Sequence, residues 1–314
     1  MRPLGHTPVT STLNKSALNK STSHNRPLRK SDFDVPGTGR GLLDVFKYRY
    51  LLRLLIGKGS SLRYRNSVLG WVWSYVRPTV QFLVYFLVVG TIIGVSRKVE
   101  LFPVYMFSGL VVVNLFNEAM GSTTRSIVDN KALVRKIYLP RELFPIAAAL
   151  GSFIHFLPQL AVLILVCLLF GWLPTFASVG MMLAGLLLVI TFVLGVGLLF
   201  SAINVRFRDA QNFIEIIRTI ATWSSPIMYT WVMVHDRLHN FPVIFNIYMS
   251  NPITVAVELF HHAFWAPLVP ADKQLGWPPD FGLNVAVAVG LIILVTVFGQ
   301  FVFRRFERTF AQDL

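Results

Sequence analysis

Three arginines lie close together in the segment RYRNSVLGWVWSYVRP at residues 63–78: Arg63, Arg65 and Arg77, beside Trp71, Trp73 and Tyr75. A guanidinium is planar and offers paired N–H donors to phosphate oxygens, so such a cluster could hold a diphosphate headgroup. The same residues equally suit plain anchoring, with arginines snorkelling and rings at headgroup level. A second basic segment, STTRSIVDNKALVRKIYLPRELFP at 122–145, places Arg125, Lys131, Arg135, Lys136 and Arg141 around a short helix ended by Pro140. A short helix of this kind between long apolar runs is a natural docking knob for a soluble partner.

Other residues carry weaker chemistry. Glu215 and Arg218, three apart on one helical face, would be an intramembrane pair or a local pair at an interface. His235 and His239 have the spacing of two metal ligands on a helix, but no third ligand is evident and no metal is expected. His155 reads as a hydrogen-bonded packing residue. The nearest approach to a P-loop, Gly57-Lys58-Gly59-Ser60, lacks the upstream glycine and a hydroxyl residue directly after the lysine. With no nucleophile elbow, HExxH, CxxC or paired intramembrane carboxylates either, the chain is expected to be neither an enzyme nor the holder of a cofactor.

These residues must be positioned by helices in lipid. Of 314 residues 54% are hydrophobic and 14% charged, against roughly 45–50% and about 25% in soluble domains. The apolar residues gather in runs long enough to cross a hydrocarbon core of about 30 Å. Six spans are expected, near 79–95, 101–120, 143–170, 179–203, 214–234 and 282–303. Pro145 and Pro158 should tilt or kink the third, and Pro226, after Ser224 and Ser225, the fifth. Between 235 and 281 the stretch NPITVAVELFHHAFW is apolar enough to enter the membrane and too short to cross it, so one or two re-entrant or interfacial helices are expected there.

The formal charge of +14 is a topology signal and not a nucleic-acid footprint. Fourteen of the 29 Lys and Arg precede Pro78, five lie between Gly121 and Glu142, two between Asn204 and Phe213, and three follow Phe303. By the positive-inside rule those segments and both termini are cytoplasmic. Residues 1–40 have the composition of a disordered tail. Residues 41–77 carry an amphipathic helix lying in the interface, and 78–314 form the transmembrane domain.

Taken in order, RYRNSVLGWVWSYVRP, NKALVRKIYLPRELFP and NPITVAVELF resemble the ABC-2 type permeases of polysaccharide, teichoic acid and O-antigen exporters, over about Lys47 to Arg308. The segments are similar to those of exporters of lipid-linked galactan for arabinogalactan walls, with teichoic acid and O-antigen exporters open. The resemblance implies an all-α homodimeric channel in the bacterial inner membrane. Each subunit would be bound to a separate ATPase that holds ATP and Mg, and a lipid-linked polysaccharide would be the cargo. It places the ATPase-coupling segment at Asp129 to Glu142, with Asn130, Arg135, Lys136, Pro140, Arg141 and Glu142 as its residues, and a second motor contact at Asn204 to Gln211. In such a channel the lipid diphosphate would meet Arg63, Arg65 and Arg77.

Aromatic residues make up 13% of the chain. Phe82, Tyr85 and Phe86 recur at i, i+3 and i+4, and Tyr105 shares a face with Phe116. In a sugar channel Phe82, Tyr85, Phe86 and Tyr105 could stack on sugar rings; outside one they pack helices or face lipid. Two departures from the family stand out: His261 and His262 occupy the region where many relatives carry a basic residue, and the N-terminal tail is long. Rival readings are an ABC-2 exporter of a drug or small lipid, an ion-coupled carrier or flippase, and a membrane glycosyltransferase.

Overall fold

The computed structural model describes residues 48–63, 70–136 and 139–314, with the side chains of 60–63, 71, 74, 311 and 312 left aside. Every regular element among them is helical, as the apolar runs require of a chain that must satisfy its backbone within lipid. Arg65 lies outside the described residues. Arg63 is described only as the last residue of its helix.

Helix α1 (Arg49–Arg63) is amphipathic: Leu51, Leu52, Leu55 and Ile56 are half-buried and the helix packs on α5 (Leu143–Leu169), whereas Tyr50, Arg53 and Leu54 are exposed. Helix α2 (Trp73–Tyr85) continues as a π-helical turn through Ile92. Then follow α3 (Phe102–Asp129), the one-and-a-half-turn α4 (Lys131–Lys136), α5 and α6 (Phe176–Arg206). The last long helix is α11 (Phe281–Glu307), trailed by α12 (Phe310–Asp313). Helices α2 with its extension, α3, α5, α6 and α11 are long and apolar enough to cross a membrane.

The fifth expected span departs from a straight helix. Helix α7 (Ala210–Trp223) stops at Ser224, and the chain turns through 224–230 before α8 (Trp231–Leu238), which Thr230 caps by accepting from the Met233 amide at 3.4 Å. Pro226 has no N–H to continue the ladder, and the Ser225 hydroxyl takes the Ala221 carbonyl at 2.7 Å, so the expected kink is a complete break. Beyond it α9 (Pro242–Met249) and α10 (Pro252–Phe260, with a π turn His261–Trp265) form a pair bent by 71°. That pair lies where a re-entrant or interfacial element is expected in 235–281. It makes a sixth crossing only if its two arms count as one.

Helix α6 is the central post, packed on α3, α5, α10 and α11. Its approach to α11 depends on small residues: Gly195 and Gly299 touch, and a Cβ on Gly195 would lie 2.6 Å from Thr296 Oγ1. Close backbone approach of this kind holds helices together in lipid, where apolar side chains gain little from leaving the solvent.

Candidate functional site

Helix α3 changes character along its length. From Phe102 to Val113 it is almost wholly enclosed, with Met106, Leu110, Val111, Val112 and Val113 at zero exposure. From Asn114 onward polar residues recur at 114, 117, 118, 122, 125 and 129, with Gly121 among them, the three-and-four spacing of one helix face. Opposite, α5 offers a small and polar face at Ala147, Ala148, Gly151, Ser152, His155 and Gln159. Between them, closed by α1, the start of α2 and Arg218 of α7, lies a cleft of about 860 Å³.

Neutral hydrogen-bonded groups lie among the charges of the cleft. Asn114 Nδ2 donates to Gln159 Oε1 at 3.3 Å, Asn117 Nδ2 to Thr222 Oγ1 at 3.0 Å, and Ser152 Oγ to Ser122 Oγ at 3.3 Å. Toward α4 the lining carries Lys58, Arg125 and Asp129, and Glu118, Arg218 and Arg77 add further charges to the cleft. Lys58 Nζ donates to Asn130 Oδ1 at 2.9 Å, and Asn130 Nδ2 donates to the Ser126 carbonyl.

The sequence-predicted residues separate into groups. Arg77 lines the cleft, while Arg63 and Arg65 cannot be placed in it. Asn130 faces the cleft; Arg135 and Lys136 are exposed on α4, whose Val134 is buried against Ile127 and Phe310. Pro140 is half-buried at the turn into α5. Arg141 and Glu142 point inward instead. Arg141 Nη1 donates to the Glu307 carbonyl and its guanidinium lies 5.6 Å over the Phe310 ring, while Glu142, 4% exposed, accepts from Gln300 Nε2 at 3.3 Å. These two residues staple α4's exit to the C-terminal helices.

Phe82, Tyr85 and Phe86 share a half-buried face turned to the protein, with Leu83, Val84, Leu87 and Val88 exposed on the other side. Phe82 stacks on Phe86 at 6.1 Å and meets Phe107 edge-on at 5.4 Å. Tyr105 is enclosed in the core and lines no cleft. Its hydroxyl donates toward the Pro226 and Tyr229 carbonyls at 3.1 and 3.2 Å, and its ring stacks on His261 at 3.8 Å. It pins the broken segment after α7, because the proline break leaves carbonyls there without helical donors. Of the two departing histidines, His261 is buried with its Nδ1 3.5 Å from Glu258 Oε1 and neither ring nitrogen hydrogen-bonded, and His262 stacks on Trp277 at 3.5 Å.

Sequence reasoning passed over Asn114, Asn117, Glu118 and Gln159, although the polar repeat on α3 is visible once the helix is placed. The fold therefore supplies a membrane-embedded bundle with a polar cleft opening toward a short basic helix. Residues 50–265 match the family described as ABC-2 type transporter. The chain belongs to the ABC-2 type transporter family. Among ABC-2 relatives, the O-antigen export system permease protein RfbA of Myxococcus xanthus is 28% identical over 271 residues, spanning 86% of this chain and 98% of the relative. An O-antigen export system permease protein of Klebsiella pneumoniae is 26% identical, spanning 84% and 95%. The polysialic acid transport protein KpsM of Escherichia coli is 22% identical, spanning 74% and 88%. As an ABC-2 protein the chain is a multi-pass membrane component, and its cleft and α4 are the places to seek cargo and motor contacts.

Proposed function

We propose that this chain is the permease subunit of an exporter that moves a polysaccharide, carried on a polyprenyl diphosphate, out across the bacterial inner membrane. It works as a homodimer bound to two copies of a separate ATPase, which holds ATP and Mg, and both of its termini are cytoplasmic. The observation that carries this reading is the cleft, lined by both charged groups and amides and enclosed by helices whose outer faces are apolar. The charged groups suit the diphosphate, and Asn114, Asn117, Ser122 and Gln159 suit the hydroxyls of the sugars behind it. The names of the three relatives point to the same class of cargo. Arg77, with Arg63 and Arg65 before it, receives the headgroup, and Phe82, Tyr85 and Phe86 guide the chain.

Motor contact falls on the exposed face of α4, at Lys131, Arg135 and Lys136. Movement of α4 passes through Val134 to Phe310, and through Arg141 and Glu142 to α11.

The test is to purify tagged protein from native membranes in mild detergent, identify what accompanies it, and reconstitute the complex in liposomes with a polyprenyl-diphosphate glycan. A P-loop ATPase that co-purifies, is lost when Arg135 and Lys136 become Glu, and drives ATP-dependent glycan movement is the expected result. Glycan movement that follows an ion gradient without any ATPase would support an ion-coupled carrier. ATPase stimulation by apolar drugs and not by the glycan would support a small-molecule exporter.

A further inference from the structure

Two guanidinium groups converge inside the cleft without a carboxylate between them. A Cβ on Gly121 would lie 3.4 Å from Nη1 of Arg218 and 4.0 Å from Nη2 of Arg125, so both side chains reach the same point on α3, one from α3 itself and one from α7. Among the described residues no carboxylate oxygen lies within 4.0 Å of either group, and Arg218 Nε is buried with no hydrogen-bond partner. Glu215, one turn before Arg218 on α7, is itself exposed. The two guanidinium groups repel each other, and the exposed Glu215 and Asp129 offset that repulsion from beyond 4.0 Å, which leaves the donors over Gly121 open to a further anion. Gly121 keeps the space between them open, since any side chain there would meet both. The cleft holds Lys58, Arg77, Arg125 and Arg218 against Glu118 and Asp129, an excess of positive charge.

We propose that Arg125 and Arg218 form an inner phosphate site over Gly121, in which the diphosphate of the lipid-linked substrate is gripped between two guanidinium groups after it has passed Arg77. This rests on the exporter reading above and adds to it a second, deeper station. Gly121 lies eight residues before Asp129, so the site is about 12 Å along α3 from the α4 end. Each guanidinium offers paired donors to one phosphate group, which makes the site selective for a diphosphate over a monophosphate. An anionic phospholipid headgroup shares the phosphate chemistry but supplies one phosphate only.

The test uses the purified complex and three probes: undecaprenyl diphosphate, undecaprenyl monophosphate and phosphatidylglycerol, with binding read by native mass spectrometry. Arg125→Gln and Arg218→Gln should each weaken diphosphate binding by about ten- to a hundredfold, the loss of one charged hydrogen-bonding group. Arg237→Gln, on an exposed guanidinium of α8 outside the cleft, should leave it unchanged. Gly121→Val should lower it with both arginines in place. If Arg218→Gln reduces the yield of folded complex, Arg218→Lys makes the comparison: it keeps the charge and loses the fork, and full affinity in that variant overturns the site. Unchanged diphosphate binding in Arg125→Gln and Arg218→Gln, with loss in Arg77→Gln, overturns the inner site and leaves the exporter reading intact. Phosphatidylglycerol binding as tight as that of the diphosphate, and equally sensitive to Arg218→Gln, overturns the substrate assignment in favour of a lipid headgroup. A wild-type complex that binds no polyprenyl diphosphate removes the exporter reading itself.

Discussion

The two ends of the helix bundle are built on opposite chemistry, and α3 takes part in both. At the α10 end all nine residues of α10 are buried, and Tyr105 is held between His261 and the Trp265 ring, which it meets edge-on at 5.2 Å. Indole nitrogens close that end: Trp172 Nε1 donates to the Ala263 carbonyl at 2.9 Å and Trp265 Nε1 to the Glu100 carbonyl at 2.8 Å. At the α4 end the same helix borders a cleft of about 860 Å³ lined by charges and amides. A close-packed interior resists any change of volume, whereas a polar cleft tolerates shape change and responds to charge. Substitutions should accordingly cost stability at one end and transport at the other.

The largest effect on stability is expected from Trp265→Ala. The indole is 2% exposed, packs on Tyr105 and makes the Glu100 bond, so its loss should cost about 3–5 kcal/mol. A thermal melt of the detergent-purified protein checks this. A melt within a degree or two of the parent would mean the α10 end is not the rigid half. Next comes Arg141→Ala, which removes a charged bond to the Glu307 carbonyl and the contact over Phe310. The guanidinium is half-buried, so about 1–2 kcal/mol is expected. ATP hydrolysis should also become less tightly coupled to glycan movement, because one of the two links from the coupling segment to the C-terminal helices is lost. Unaltered coupling with lowered stability would confine Arg141 to a structural role.

How much of this contrast could be read in the sequence depends on the distance over which each feature is encoded. The long helices α3, α5, α6 and α11 were legible because unbroken apolar runs need no partner to be interpreted. The break after α7 was half legible: Pro226 announces a kink, but its completeness comes from Tyr105, whose hydroxyl holds carbonyls 121 and 124 residues away. The same distance hid the burial of Tyr105, since an aromatic in a span reads alike whether it faces a channel or a core. Arg141 and Glu142 were recognised as important through the resemblance, yet their partners on α11 lie 166 and 158 residues off. The cleft was the true omission. Each polar residue of α3 is tolerable singly, and only their repeat at 114, 117, 118, 122, 125 and 129 marks a face.

A smaller stability effect should accompany Asn117→Ala in the cleft. Its amide bond to Thr222 is neutral and partly buried, so about 0.5–1.5 kcal/mol is at stake, and the site is polar enough for water to replace the amide. The glycan transport rate should fall severalfold while the melt moves little, the reverse of the Trp265→Ala pattern. A variant that melts early and transports normally would undo the division between the two ends.

The smallest effect sharpens the comparison from within one loop. Glu100 is held twice: its carbonyl by the buried Trp265 indole, and its carboxylate by Lys273 Nζ at 2.7 Å in a contact whose side chains are 42% and 55% exposed. The shorter contact is the weaker link, because two exposed charges exchange water for each other at little gain and salt screens them. Hydrogen bonding to Glu100, aided by its negative charge, raises the Lys273 ammonium above its ordinary range. With a raised folded-state pKa, whatever the pair contributes is fully present below about pH 10 and is lost only as pH rises through that raised value. Lys273→Ala should therefore leave the melting temperature unchanged between pH 6 and 8 and at both low and high salt. Trp265→Phe, which keeps an apolar ring but removes the indole donor, should lower it. If the order were reversed, surface charge and not the aromatic packing would hold this end of the bundle closed.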